Sequence, residues 1–384
     1  MFGPRGVGKT WLLRNLFEAP LRADPPHAVV LDLLHQQPYL DLLSEPARIR
    51  RYLPKPDTDR PFWVIVDEVQ RVPHLLSEVH SILEDPDFAQ YRFVLTGSSA
   101  RKLRRGGADL LAGRALVNHL YSLSALETGD SWELEQTLRW GSLPGVVTAA
   151  SDELRREILR AYVGTYIREE IKEEQVLRKL EPFIRFLEVA AQANGEPVVY
   201  SKIADRAQVD AKAVARYFEV LEDTLIGFLL PPYTRSARDR ALSLSKFYFF
   251  DVGVKNAIER TVGNVLPTGS SLWGRAFEHA IILEFVRLNA YQKRDDRFSH
   301  FRTKDGAEID LVVERGRQKP LCVEIKSGRS IQDTEVRRLK RTTAAIPGGV
   351  PQILYDGHLE QEIEGVNVTP WKLFLTRWYR TSGL

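Results

Sequence analysis

Cysteine is all but missing from this chain: Cys322 stands alone among 384 residues. A lone thiol excludes an internal disulfide and fits a reducing cytoplasm. Long apolar runs are missing too. HAIILEF and FWVIV stop well short of the roughly 20 residues a membrane helix requires, so no membrane partner is expected. The N-terminus lacks the basic-then-apolar pattern of an export signal, which again points to a cytoplasmic chain. An excess of one charge is also lacking. The 54 basic and 51 acidic residues are interspersed and leave a net charge of +3, which by itself does not mark a nucleic-acid binder. What is present is a composition of globular type, 43% hydrophobic and 27% charged. The length exceeds what one ordinary core needs, so two or three domains are expected.

Residues 3–10, Gly3-Pro4-Arg5-Gly6-Val7-Gly8-Lys9-Thr10, fit G-x-x-x-x-G-K-T, the spacing of a phosphate-binding loop. Gly3, Gly6 and Gly8 let the backbone curl so that successive N–H groups face a phosphate. Lys9 can then reach the outer phosphates of ATP, and Thr10 can ligate Mg²⁺. WLLRNLF has helical apolar spacing and supplies the helix N-terminus that the loop requires. The run FWVIV ends in Asp67-Glu68 and reads as a strand buried on both faces, as in a parallel sheet. Ligand groups gather at the carboxyl ends of such strands. Asp67 is placed to hold Mg²⁺ through water, and Glu68 to orient or deprotonate the attacking water. The competing reading is that this dipeptide only opens a solvated loop. YRFVLTGSS is a further strand whose Thr96 or Ser98 either senses the γ-phosphate or caps a local turn. VVLDLL, residues 29–34, is another.

The fold class is therefore α/β, with a parallel sheet of the P-loop NTPase kind. Its first strand is missing from the sequence, because only Met1 and Phe2 precede the loop. The expectation is that the natural chain begins several residues earlier with a short apolar strand. Without it the neighbouring strand VVLDLL would expose a hydrophobic edge, or another segment would have to fill the gap.

Taken together, GPRGVGKT, VIVDEVQRVP, LTGSSARKL and LLAGRALVNHLYSLSALE resemble the AAA-like ATPases of bacteria and archaea. Those proteins join a P-loop domain to a C-terminal domain of uncertain function. GSLPGVV and FYFFDVGVKNAI extend the similarity over nearly the whole chain. The resemblance implies that an arginine after the sensor strand contacts the γ-phosphate. Arg114 is the positional candidate, with a surface salt bridge as its rival role.

Residues 151–195 have the Glu, Arg, Leu and Ile spacing of a helix with a solvated face. In YSKIADRAQVDAKAVARYFEVLEDTLIGFLLPPY, Ser201 and Asp210 are placed to cap two helices across the short RAQV turn. This is helix-turn-helix spacing, and FLLPPY would begin a wing. The second helix offers Lys212 and Arg216 against Asp210, Glu219, Glu222 and Asp223, a poor balance for gripping phosphates. A structural or partner-docking role fits better, and RSARDR, residues 235–240, is the better candidate for contact with DNA.

In IDLVVERGRQKPLCVEIK, two strands flank a turn. Period-two alternation places Glu324 and Lys326 on one face, with Asp310 beside them if the strands pair. Upstream, GRAFEHAIILEF is an apolar-striped helix bearing Glu278. An acid followed by E-x-K resembles the PD-(D/E)xK nuclease fold, although Ile309 stands where that pattern has proline. On this resemblance Glu278, Asp310 and Glu324 bind Mg²⁺ and Lys326 orients or activates water. A hairpin with a charged, solvent-facing side is the plain alternative.

The expected division is an ATPase domain over 1–150, a helical and winged-helix-like connector over 151–240, and a restriction-endonuclease-like α/β domain over 241–384. The expected activity is ATP hydrolysis coupled to DNA or RNA in genome maintenance or defence. The alternative is a non-catalytic, nucleotide-dependent regulator that assembles with itself or with a protein partner.

Overall fold

A computed structural model describes residues 1–24, 26–54, 60–98, 113–167, 180–234, 244–303 and 305–380. The chain divides into two units. One comprises Met1–Tyr121 with Asp223–Leu225, and the other Ser122–Glu222 with Ile226–Leu384.

In the first unit the elements are α1 (Lys9–Leu16), α2 (Glu18–Arg22), β1 (Ala28–Asp32), α3 (Gln36–Ser44), β2 (Phe62–Asp67), α4 (Leu75–Glu84) and β3 (Tyr91–Leu95). The strands are parallel in the order β1-β2-β3. Central β2 is buried from Val64 to Asp67, as expected of a run with no polar face. On α4, Leu75, Leu76, Val79 and Ile82 fall at helical spacing and pack into the same core as Leu31, Val64 and Val66. The register pairs Asp32 with Asp67 and Val66 with Leu95, so the carboxyl ends of the three strands are level.

Met1 and Phe2 lie beside β3, not beside β1. Phe2 forms parallel bridges to Gly97 and His119. Its N–H donates to Asn118 O (2.8 Å), and Leu120 N–H donates to Phe2 O (2.7 Å). The loop's last strand position is therefore held between the end of β3 and residues 118–120. This corrects the expectation about VVLDLL. Among the described residues β1 pairs only with β2, and the residues leading into the loop lie beside β3 instead. The chain leaves the loop through α1 and α2 and returns at the far edge of the sheet.

The second unit contains α5 (Ala125–Thr128), α6 (Leu134–Trp140), α7 (Pro144–Val147), α8 (Asp152–Ala161), a π-helical turn at Tyr162–Ile167, α9 (Leu180–Gln192), α10 (Tyr200–Ala207) and α11 (Ala211–Asp223). A hairpin of β4 (Gly227–Leu230) and β5 (Lys246–Phe249) follows, then α12 (Val252–Ile258) and the long α13 (Ser271–Gln292). The chain continues through β6 (Arg297–Arg302), β7 (Glu308–Glu314), β8 (Leu321–Lys326), α14 (Asp333–Thr343), β9 (Val350–Tyr355), β10 (Gln361–Ile363), β11 (Val366–Pro370) and α15 (Trp371–Arg380). The last six strands form one mixed sheet in the order β10-β11-β9-β8-β7-β6.

Two of the expected caps come out differently. Asp210 accepts the Ala213 N–H (2.8 Å) and caps α11. Ser201 does not cap α10, which starts one residue earlier, at Tyr200, behind Val199 and without a side-chain cap. Gln208, at φ 54, makes the turn between these helices. Pro197 bridges antiparallel to Lys246, and Phe183 packs edge to face on Tyr217 as Phe186 does on Phe218, with Phe186 and Tyr217 tilted against each other. After β4, Pro231 to Tyr233 run along β6, where Tyr233 N–H donates to His300 O (2.6 Å). RSARDR lies outside the described residues, as does most of LTGSSARKL beyond Ser98.

GSLPGVV and FYFFDVGVKNAI meet at Asp251. Its fully buried carboxylate accepts N–H groups from Ser142 (2.9 Å), Gly253 (2.9 Å) and Val254 (3.1 Å), capping α12 and tying it to the end of α6. A Cβ at Gly253 would stand 1.9 Å from Trp140 O, so that approach requires glycine.

Both faces of the mixed sheet are covered. Leu311, Val313, Val323 and Ile325 share a core with α13 and α15, whereas Val312 and Cys322 pack with Val336 and Leu339 of α14. The hairpin with a charged solvent face is thereby excluded: Glu324 is only 4% exposed. Among the described residues no helix is long and apolar enough to cross a membrane.

Candidate functional site

Two clusters of polar side chains lie at strand ends, one in each unit. In the first unit Gly6 (φ 77) and Gly8 (φ 95) take left-handed conformations that place α1 directly behind the loop. Gly3 is glycine for a different reason, since a Cβ there would lie 2.2 Å from Leu120 O. Lys9 is 6% exposed, and its ammonium donates to Gly3 O (2.8 Å) and Pro4 O (3.0 Å), curling over the loop. The Thr10 hydroxyl donates to Asp67 Oδ2 (2.5 Å), and the Thr96 hydroxyl donates to Asp67 Oδ1. Thr96 also accepts the Glu68 N–H (3.2 Å). Glu68 sits at φ 58, a left-handed position that turns its side chain off the strand axis. Its Oε2 accepts from Gln70 Nε2 and from the Ser98 hydroxyl (3.4 Å).

Thr10, Asp67, Thr96, Glu68 and Ser98 are thus linked by hydrogen bonds across the level strand ends, with Lys9 held against the loop carbonyls. Arg114 is engaged elsewhere: its guanidinium pairs with Glu84 (2.6 Å) at the end of α4, where both are exposed. Gln70 escaped the sequence reading, although its place two residues beyond Glu68 in DEVQ marks it as a group able to reach back.

In the second unit the β7–β8 register pairs Leu311 with Val323, so one further step sets Asp310 against Glu324. Asp310 Oδ2 accepts the Ile325 N–H (2.8 Å). Glu324 Oε1 accepts from Lys326 (2.8 Å) and Arg338 (2.9 Å), while its Oε2 is buried with no partner. Burial and the neighbouring Asp310 carboxyl raise the Glu324 pKa to about 7. Burial and Glu278 push Asp310 upward as well. Glu278 Oε1 accepts from the Tyr248 hydroxyl (2.7 Å) and the Lys246 ammonium (3.4 Å). Among the described residues no three His, Cys, Asp or Glu side chains converge to hold a metal ion. Lys246, Tyr248 and Arg338 were missed from sequence. The signal for the first two was available: in KFYF, two polar side chains recur at the strand period within an otherwise apolar run.

Known proteins agree with this architecture in part. Residues 1–129 match the family described as an AAA domain. Residues 131–264 match a domain of unknown function, DUF8612, and residues 273–374 another, DUF4143. An uncharacterized protein of Mycobacterium bovis and one of Mycobacterium tuberculosis are each 26% identical over 263 residues, 68% of this chain. The chain spans 58% of the length of these curated relatives. The first unit's parallel sheet and loop define a P-loop ATPase-like AAA domain. The chain joins that domain to a C-terminal domain of the DUF4143 kind.

Proposed function

We propose that the first unit binds and hydrolyses ATP with Mg²⁺. The observation that carries this is the meeting of Thr10 and Asp67 at 2.5 Å beside the folded-over Lys9. A hydroxyl and a carboxylate side by side offer two oxygens to an oxygen-seeking ion once their hydrogen bond opens, and glycines at positions 6 and 8, both at positive φ, let backbone N–H groups turn toward phosphate oxygens. Thr10 and Asp67 would hold Mg²⁺, which when bound supplies positive charge against the phosphates. Residues 3–10 cradle the phosphates through backbone N–H groups. Lys9 exchanges its loop carbonyls for the outer phosphates. Glu68 accepts the proton of the attacking water or orients it, once Gln70 and Ser98 release its Oε2. Ser98 is then free to meet the γ-phosphate, and Arg114 contributes only by exchanging Glu84 for that phosphate. The test is ATP turnover by the full chain, with and without DNA. Absence of both nucleotide binding and turnover would remove the proposal.

A second reading concerns the other unit, where Glu324 Oε2 is buried without a hydrogen-bond partner and so suits a cation. On this reading residues 151–240 are a helical and winged-helix-like connector, and residues 241–384 a PD-(D/E)xK nuclease-like domain acting on DNA or RNA in genome maintenance or defence. Asp310 and Glu324 would hold Mg²⁺, which supplies Lewis acidity toward a scissile phosphate. Lys326 orients water and offsets charge. Cleavage of plasmid, linear, single-stranded or RNA substrates with Mg²⁺ or Mn²⁺, lost in Asp310→Ala, is the supporting result. If no substrate is cut, the non-catalytic regulator becomes the better account, with this domain as a binding or assembly surface.

A further inference from the structure

We propose that Gln70 is a catalytic residue of the first unit, its side-chain Oε1 holding the attacking water together with Glu68; this builds on the ATPase reading given above.

Gln70 lies in the short turn Val69–Arg71 directly behind β2 and is 2% exposed. That turn is pinned on both sides. The Val69 N–H donates to Thr96 O (2.9 Å), and the Arg71 guanidinium donates to Leu33 O (2.6 Å) while lying over the Tyr39 ring. The Gln70 side chain is thereby aimed across the strand ends, where it meets Glu68 and Ser98.

The polar atoms of its carboxamide can be matched one by one. Nε2 donates one hydrogen to Glu68 Oε2 and the other to Ser98 Oγ (2.9 Å). The Ser98 hydroxyl gives its own hydrogen to the same Glu68 oxygen (3.4 Å), so toward Gln70 it can only accept. A flipped amide would set Oε1 against a carboxylate, which has nothing to donate. Both donors are therefore placed, and Oε1 is buried with no protein donor among the described residues.

Burying an acceptor without a donor is unfavourable, and native structures keep such a group where function calls for it. Packing alone would be served by leucine or methionine, which are of similar size. The donor that suits Oε1 is a water, and the water this site needs is the attacking one. Once Glu68 Oε2 is released, it and Gln70 Oε1 are two acceptors on side chains that already touch, matching the two protons of a water. One proton then passes to Glu68 as the water oxygen bonds to the γ-phosphorus and the bond to the ADP oxygen breaks, ADP leaving with the electron pair. The other proton stays on the new phosphate oxygen, held by Oε1.

The experiment is ATP binding and single-turnover hydrolysis with Mg²⁺ by the full chain, as the parent, Gln70→Leu, Glu68→Gln and the double variant. Gln70→Leu keeps the volume and removes the acceptor, and Gln70→Ala takes its place if leucine prevents folding. Gln70→Leu should bind ATP as the parent does and hydrolyse it about 10- to 100-fold more slowly. The double variant should be no slower than Glu68→Gln, because both residues serve one water. Hydrolysis by Gln70→Leu as fast as the parent's, or faster, overturns the inference, since the amide would then only restrain Glu68. A double variant slowed by the product of the two single effects overturns it too. So does a loss of ATP binding in Gln70→Leu, which would make the residue a structural support. In each of those outcomes the ATPase reading stands. A parent that does not hydrolyse ATP overturns that reading and the inference with it.

Discussion

Thr10 and Asp67, 57 residues apart in the chain, meet across 2.5 Å. That contact joins the start of α1 to the end of central β2. The Thr96 hydroxyl holds the other oxygen of the same carboxylate, so Asp67 is fixed from two sides before any ligand arrives. Groups held in place in this way need little rearrangement when a phosphate and its ion dock.

The closeness of Gly3 to Leu120 predicts the effect of one added methyl. The Cβ of Gly3→Ala would lie 2.2 Å from a backbone oxygen that cannot swing away. The expected outcome is a loss of about 1–3 kcal/mol, typical of overpacking, together with weaker ATP binding. Gly145→Ala, which meets nothing within 4 Å, is the control and should be neutral or slightly stabilising. Thermal unfolding of the two variants checks this, and equal melting temperatures would count against the close approach.

Much of the first unit was legible because its signals are local. A glycine spacing, a continuous apolar run and a helical stripe each state their own structure, and the level strand ends then bring Thr10 to Asp67. Sheet order was not legible. The loop's strand proved to neighbour β3 because strand order depends on crossovers that leave no mark on either strand's composition. The second unit hid more. Alternation in IDLVV left a charged, solvent-facing hairpin open as the plain alternative, whereas α14 covers that side with Val336 and Leu339. Lys246 comes to Glu278 from a separate hairpin, a tertiary contact that no spacing along the chain encodes. Ser201 failed as a cap because Ser, one residue inside a helix start, looks the same in sequence as Ser at the boundary.

Asp251 carries a prediction of a different kind. Replacement by Ala would strand three buried N–H groups, those of Ser142, Gly253 and Val254. Unsatisfied groups of that kind cost about 1–3 kcal/mol each before relaxation, so a large drop in stability is expected. Asp251→Asn keeps one acceptor oxygen and should lose less. Chemical denaturation of the two variants gives the ranking, and Asn no better than Ala would contradict the capping role.

Stability should also depend on pH through Glu324. Its carboxyl, raised to about 7 by burial and by Asp310, holds a proton between about pH 4 and pH 7 that the unfolded chain has released. Stability therefore falls as pH rises through that window and levels off above it. Glu324→Gln is neutral at every pH and lacks this contribution. The parent should lose on the order of 2 kcal/mol relative to Glu324→Gln between pH 5 and pH 7.5. Parallel stability curves would show that the carboxyl is not perturbed.

As an ATPase, the first unit is proposed to grip phosphate through Lys9 and to serve the attacking water through Glu68. The measurement that reaches this assignment most directly is ATP binding and turnover, with Mg²⁺ present, by the parent, Lys9→Ala and Glu68→Gln. Lys9→Ala should bind ATP weakly. Glu68→Gln should bind as the parent does and turn over about 10²–10⁴-fold more slowly, the range expected for a lost general base. Turnover by Glu68→Gln equal to the parent's, with binding intact in both, would contradict the account.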